Sequence, residues 1–215
     1  MNSTTRRLLG AGLLIPFWLS VGVWLTAKAF PGYSHSDQAM SQLGALGAPT
    51  HAFSAWVNNF PLALLFGLFA LGIWRCWRGS MLARLSALLI LLHGLGSLGT
   101  GFFPCDQGCA PADPSTAQRL HNLSGLVMFV SLTLASALWV WLGVRVARSR
   151  GFSWFSLACT GFAVLTAGFM ASAVESGHLF GFYQRLNYGV SVAWTAGLAL
   201  ISLRRVDDGT PGSGA

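Results

Sequence analysis

Charge is what this chain most lacks. Of its 215 residues only 9% are Asp, Glu, Lys or Arg, while 53% are hydrophobic; an ordinary soluble domain carries roughly 25% charge. Six acids and thirteen bases cannot clothe a soluble fold of this length, so the medium around it must be lipid. Motifs of named enzyme classes are also missing. There is no Ser-based nucleophile elbow, no His-Glu-x-x-His and no Gly-rich phosphate loop, so no such class has a signature here. The period-two alternation of a membrane barrel is absent as well, which leaves helices as the only way to satisfy the backbone in lipid.

What is there is a set of six apolar stretches, at about 8–30, 53–74, 83–103, 123–144, 155–174 and 188–203. Each is near the roughly 20 residues that a helix needs to cross hydrocarbon. The expected fold is an all-α membrane protein, a bundle of six transmembrane helices over residues 1–206, with a disordered tail at 207–215 that has no large apolar side chain to pack. Arg6-Arg7, an apolar run and Ala27-Lys28-Ala29 resemble a signal peptide with its cleavage site. The run exceeds the roughly 7–15 residues of a signal core, so a retained first helix is expected.

The bases set the orientation. Arg6, Arg7, Arg75, Arg78, Arg84, Arg145, Arg148, Arg150, Arg204 and Arg205 fall at one end of the expected bundle, leaving Lys28, Arg119 and Arg185 for the other. The positive-inside rule makes the arginine end cytoplasmic, so both termini are expected inside and the chain multi-pass in the inner (plasma) membrane. Trp74, Trp77, Trp139, Trp141 and Trp154 lie near that end, where an interfacial aromatic belt belongs. The basic pI of about 10.1 then reports topology, and no nucleic-acid partner is expected.

Polar chemistry gathers at the opposite end. The outer connections, at about 31–50, 104–122 and 175–187, hold or adjoin His35, His51, His121 and His178 with Asp37, Asp106, Asp113 and Glu175. Loops are wet, and that alone accounts for much of it. Yet Glu175 directly follows an apolar run and Arg185 lies just before the next, where an ion needs a partner, so the two are expected to pair. Asp106, Arg119, His121, Glu175 and Arg185 are expected to converge, either as a structural ion-pair network or as a site. In the second case Asp106, His121 and Glu175 are the catalytic candidates, and Arg119, Arg185, His178 and His93 the ligand-binding ones. A guanidinium fork would suit a phosphate or carboxylate. Gln118-Arg119-Leu120-His121 and Gln184-Arg185-Leu186-Asn187 hint at a repeat of hairpins 3–4 and 5–6.

His93 stands alone in the middle of the third stretch, followed by Gly94, Gly96, Ser97, Gly99, Thr100 and Gly101. It reads as a neutral histidine bonded to a neighbouring helix, or as a ligand for haem or an ion. A haem between helices usually takes a second histidine at the same depth, and none is present, so the cofactor stays unknown. Cys105 and Cys109 flank Asp106-Gln107-Gly108. In an oxidising compartment they favour a disulfide. Pairing with His121 around a metal is the alternative, but a closed zinc site takes about four ligands, so no metal site is assigned.

Tyr33-Ser34-His35, Met40-Ser41-Gln42-Leu43-Gly44 and Gly47-Ala48-Pro49 after the first helix resemble a pattern of an uncharacterised six-helix membrane family, domain of unknown function 998. Phe103-Pro104-Cys105-Asp106 and His121-Asn122-Leu123-Ser124-Gly125 resemble its second signature. The family usually has an acid where Gln42 stands. The wider group that the chain resembles includes eukaryotic membrane proteins of lipid remodelling and autophagy, which implies lipid contact but supplies no reaction. Two functions follow as expectations: a module that binds a lipid headgroup or small polar solute at the outer leaflet, or a membrane-embedded hydrolase or transferase acting on lipid, possibly metal-dependent. Membrane lipid is the expected partner in either case, and the oligomeric state is open.

Overall fold

A computed structural model describes residues 3–207. Six helices are long and apolar enough to cross a membrane: α1 Ser3–Lys28, α2 His51–Cys76, α3 Met81–Phe102, α4 Thr116–Arg145, α5 Arg150–Ser176 and α6 Phe180–Asp207. Among the described residues there is no strand. The chain is therefore the expected multi-pass helical membrane protein; the expected disordered tail lies outside the described residues from 208 on.

Two helices begin furthest ahead of their apolar runs, α4 at Thr116 rather than 123 and α6 at Phe180 rather than 188. The reason is local. Ser115 caps α4, its hydroxyl accepting from the Gln118 N–H. The polar side chains of these first turns also find partners inside the bundle, so they do not need to end the helix to reach water. Residues expected in loops, among them Arg119, His121 and Arg185, therefore stand on helices.

Consecutive helices pack side by side, and α6 returns to α1 to close a ring. At one end lie the helix termini rich in arginine, where Arg6 and Asp207 pair at 2.9 Å. That half is solid. Leu9, Phe66, Phe69, Ile73, Leu142 and Leu198 are fully buried there. Lipid is as apolar as leucine, so close backbone approach must help hold the helices together. A Cβ added at Gly143 would sit 2.8 Å from the Ser153 backbone, and one at Gly72 would sit 2.9 Å from the Leu9 nitrogen.

Trp77 and Trp139 correct the aromatic-belt expectation. Both are buried, at 2% and 0% exposure, and their rings meet edge to face at 5.2 Å. Each indole donates to a serine of another helix, Trp77 to Ser202 at 3.0 Å and Trp139 to Ser86 at 2.9 Å. Trp194 does the same to Ser156 at 3.1 Å. A tryptophan near a helix end is cheap to bury when a hydroxyl waits for its N–H. Trp74, Trp141 and Trp154 are exposed, as a belt requires.

Candidate functional site

The other half of the ring is hollow. A cavity of about 850 Å³ opens between the six helices under the loops that join them at this end, within the range of roughly 300–1,000 Å³ usual for ligand sites. Its lower wall is Leu62, His93, Leu132 and Tyr188, near the middle of their helices. Met128, Phe129 and Met170 give it apolar, deformable sides. Asn122, Gly125, Val174 and Gly177 line the cavity and are also exposed. They border a mouth along the seam between α4 and α5. Asp37, Gly108 and Ala110 of the outer loops also line the cavity and are exposed, so it reaches the surface both along that seam and among the loops.

Local chemistry explains why α2 helps form the wall. The segment Ala55–Asn59 is a π-helical turn, of the kind frequent at functional sites. It carries Asn58 and Asn59 into the lining. Asn58 donates to Thr26 at 3.0 Å and Ser54 at 3.3 Å; Asn59 donates to Thr100 at 2.8 Å. On α3, His93 is 2% exposed. Its Nδ1 lies 2.9 Å from the Met128 carbonyl and its Nε2 3.1 Å from the Tyr188 hydroxyl. This is the interhelical hydrogen-bonded histidine, and both of its nitrogens are taken.

The first loop folds over the cavity as a cap. Met40–Gly44 forms a 3-10 turn whose Leu43 is fully buried. Gln184 accepts the Met40 N–H at 2.7 Å, and Gln42 donates to the Gly108 carbonyl at 3.1 Å. Arg185 fastens the cap. Its guanidinium donates to the carbonyls of His35, Gln38 and Gly181 at 2.6, 3.1 and 2.8 Å, and to the Tyr33 hydroxyl at 2.7 Å. Burial pushes the Tyr33 hydroxyl up from its ordinary pKa, against the pull of Arg185. Burial first, and Arg185 second, push His35 down.

The expected ion cluster does not form. Among the described residues Glu175 and Arg119 are exposed and make no ion pair, and Arg185 spends its fork on the cap rather than on Glu175. A carbonyl cluster can satisfy a guanidinium as a carboxylate does, without the cost of desolvating a second ion. Asp106 accepts from the Ser115 hydroxyl and N–H at 2.6 and 2.9 Å, which holds its carboxyl below the ordinary range. His121 lines the cavity and turns Nδ1 to the Phe103 carbonyl at 2.8 Å, so Asp106 and His121 are not partnered. His178 is on the surface, 4.0 Å from Asp37. Cys105 and Cys109 are bonded to each other as expected, and Cys76 and Cys159 are free and buried. Among the described residues no three His, Cys, Asp or Glu side chains gather as a metal site.

The cavity thus takes in His93 and His121 of the expected candidates and leaves the others outside. Besides Asp37 at its outer edge, its polar residues are mostly amides and hydroxyls, among them Asn58, Asn59, Gln184, Asn187, Ser191 and Tyr188. For Asn58, Asn59, Ser191 and Tyr188 the signal was polarity inside apolar runs, which in a membrane helix marks function more than charge at its end does. A family model described as "Protein of unknown function (DUF998)" matches residues 13–201. The chain belongs to this family. No curated protein and no solved structure matches the chain. In this family member the first motif, Met40 to Gly44, forms the inner face of the cap, and the second, from Phe103 and from His121, joins the cap to the α4 side of the mouth.

Proposed function

We propose that the protein is a membrane-embedded binding module that takes a lipid into its cavity from the side, at the leaflet opposite the arginine end. The positive-inside rule makes that the outer leaflet of the plasma membrane. One observation carries the reading: a cavity with apolar flanks and an uncharged polar floor reaches the surface along a helix seam at Gly125 and Val174, within membrane spans, where lipid rather than water lies alongside. The guanidinium forks of Arg119 and Arg185 are not at the cavity, so the ligand's polar part meets amides and hydroxyls instead.

Gly125 tests this. It borders the mouth, and a Cβ there would meet nothing within 4 Å, so Gly125→Trp obstructs the seam without straining the bundle. Mass spectrometry of lipids retained by the purified protein should show a species held by the natural chain and lost from Gly125→Trp at unchanged melting temperature. Equal retention by both would overturn the reading.

A further inference from the structure

Proton positions on the deep wall are fixed by the network itself. Thr100 gives its hydroxyl proton to the Ser97 carbonyl at 3.0 Å, so the Asn59 group 2.8 Å from it is the amide nitrogen. Thr166 gives its proton to the Phe162 carbonyl at 2.7 Å. The Asn187 nitrogen therefore faces Thr166 at 3.0 Å and the Ala163 carbonyl at 2.7 Å. Ser97 and Ser191 donate to the carbonyls of Asn59 and Asn187 at 2.9 and 3.0 Å. The Met128 carbonyl can only accept, so the proton of the His93 ring is on Nδ1. A charged ring here would have no carboxylate near it, since Asp37 at the rim is the only acid lining the cavity among the described residues. The ring is neutral, Nε2 is an acceptor, and Tyr188 donates to it.

Most of these donors are spent inward; the Asn59 amide keeps one N–H, and nearer the loops the amide nitrogens of Gln184 and Asn122 are free. What the deep wall mainly offers a ligand is lone pairs, those of the side-chain oxygens of Asn59 and Asn187 and of the hydroxyl oxygens of Ser97, Ser191 and Tyr188, and no Lys or Arg lines the cavity among the described residues. We infer that the cavity selects a neutral amphiphile whose polar end carries hydroxyl donors, and that it rejects phosphate and carboxylate heads. This rests on the binding reading above and names its ligand class. An anionic head finds no Lys or Arg in this lining and mostly lone pairs on the deep wall, so in a low-dielectric pocket it is desolvated without a counter-ion. An ammonium would match the lone pairs but bury its charge away from Asp37, the one lining acid among the described residues, which is at the rim. An alcohol satisfies the wall at no such cost. Glycerolipids with free hydroxyls and long-chain alcohols share this chemistry.

The test uses the purified full chain in nanodiscs and three probes with one oleoyl chain: monooleoylglycerol, its dimethyl ether and oleoyl lysophosphatidate. Monooleoylglycerol should bind about tenfold or more tighter than either of the others, as expected when a site's polar groups are left unpaired by the analogue. Ser191→Ala should weaken monooleoylglycerol several-fold and leave the ether unchanged, because Ser191 has only a backbone carbonyl to lose. Ether or lysophosphatidate binding as well as monooleoylglycerol would overturn the inference while leaving the cavity reading standing, provided Gly125→Trp still blocks all three. Absence of monooleoylglycerol binding overturns it outright. Unchanged lipid retention by Gly125→Trp instead brings down the reading beneath it.

Discussion

The indole of Trp18 on α1 donates to the carbonyl of Val57 on α2 at 2.8 Å, and the residue four positions on from that carbonyl is Pro61, which has no N–H to give it. A proline inside a membrane helix leaves an acceptor that hydrocarbon cannot satisfy. Trp18 supplies the donor from next door, and the π-helical turn beside it brings the asparagines of the cavity wall into place. Trp18→Phe keeps the ring and removes the donor, and should cost about 0.5–1 kcal/mol. Trp24→Phe should cost less, because Trp24 is 53% exposed and its ring carries Lys28 over its face at 4.7 Å, a contact that a phenyl ring keeps. Reversible unfolding of both variants in mixed detergent measures the difference, and equal effects would remove the role given to Trp18.

Arg185 and Glu175 offer a second contrast. Arg185→Ala removes three hydrogen bonds to the cap and one to Gly181 of its own helix, and bonds from a charged donor are worth about 1.5–3 kcal/mol each before the loop relaxes. A net loss of about 2–3 kcal/mol follows, with faster hydrogen exchange from Tyr33 to Gly44. Glu175→Ala should stay within about 0.5 kcal/mol, as for other exposed sites. Because the partners of Arg185 are carbonyls, the loss should change little between low and high salt. A strong salt dependence, or a matching loss at Glu175, would restore the ion pair.

How much of this was legible follows from what each residue's signal depends on. The six helices were, because apolar length is a property of the chain itself. The Cys105–Cys109 bond was legible from spacing, and the identity of the family from Met40 to Gly44 and the run from His121. Arg185 was misread because pairing by charge ignores backbone carbonyls, which no sequence displays as acceptors. Trp77 and Trp139 were misread because burial depends on Ser202 and Ser86, distant in sequence and on other helices. Asn59 could have been found as an amide within an apolar run and Asn187 as one at the edge of the next polar connection, but only the ring of helices shows that they face one space. Gln118 and Gln184, matched in the suspected repeat, each accept a backbone N–H from an outer loop, at 2.8 Å from Asp106 and 2.7 Å from Met40.

The cap should also respond to acid. Asp37 accepts from Ser34 and Ser36 hydroxyls at 2.7 and 2.9 Å and from the Leu179 N–H at 3.1 Å. Led by the Ser34 bond, these hold its carboxyl below the ordinary 3.8. A carboxyl depressed in the folded state stabilises it above the unfolded pKa, and that contribution fades as pH falls through the folded one. Protection of the Leu179 amide should therefore be flat from neutral pH down to about 5 and decline only below the ordinary carboxylate value. Asp37→Asn should show lower protection throughout and no acid step. A step in the natural chain centred well above the carboxylate range would take this role from Asp37.

Orientation is the last expectation open to direct test. The ten arginines of the α1 and α6 termini and of the two short connections between them share one end of the bundle, and the cap, the disulfide and the cavity belong to the other. Moving that many guanidinium groups across a membrane is opposed both by insertion and by the membrane potential. Reporter fusions after Arg78, Arg150 and Arg205 should therefore read cytoplasmic, and fusions after Asp37 and Asp113 external. The disulfide supplies an independent check, since Cys105 and Cys109 should resist a membrane-impermeant thiol reagent on intact cells until an impermeant reductant is added. An external signal at Arg150, or thiols that react only after the cells are opened, would turn the molecule over and place the lipid site in the inner leaflet.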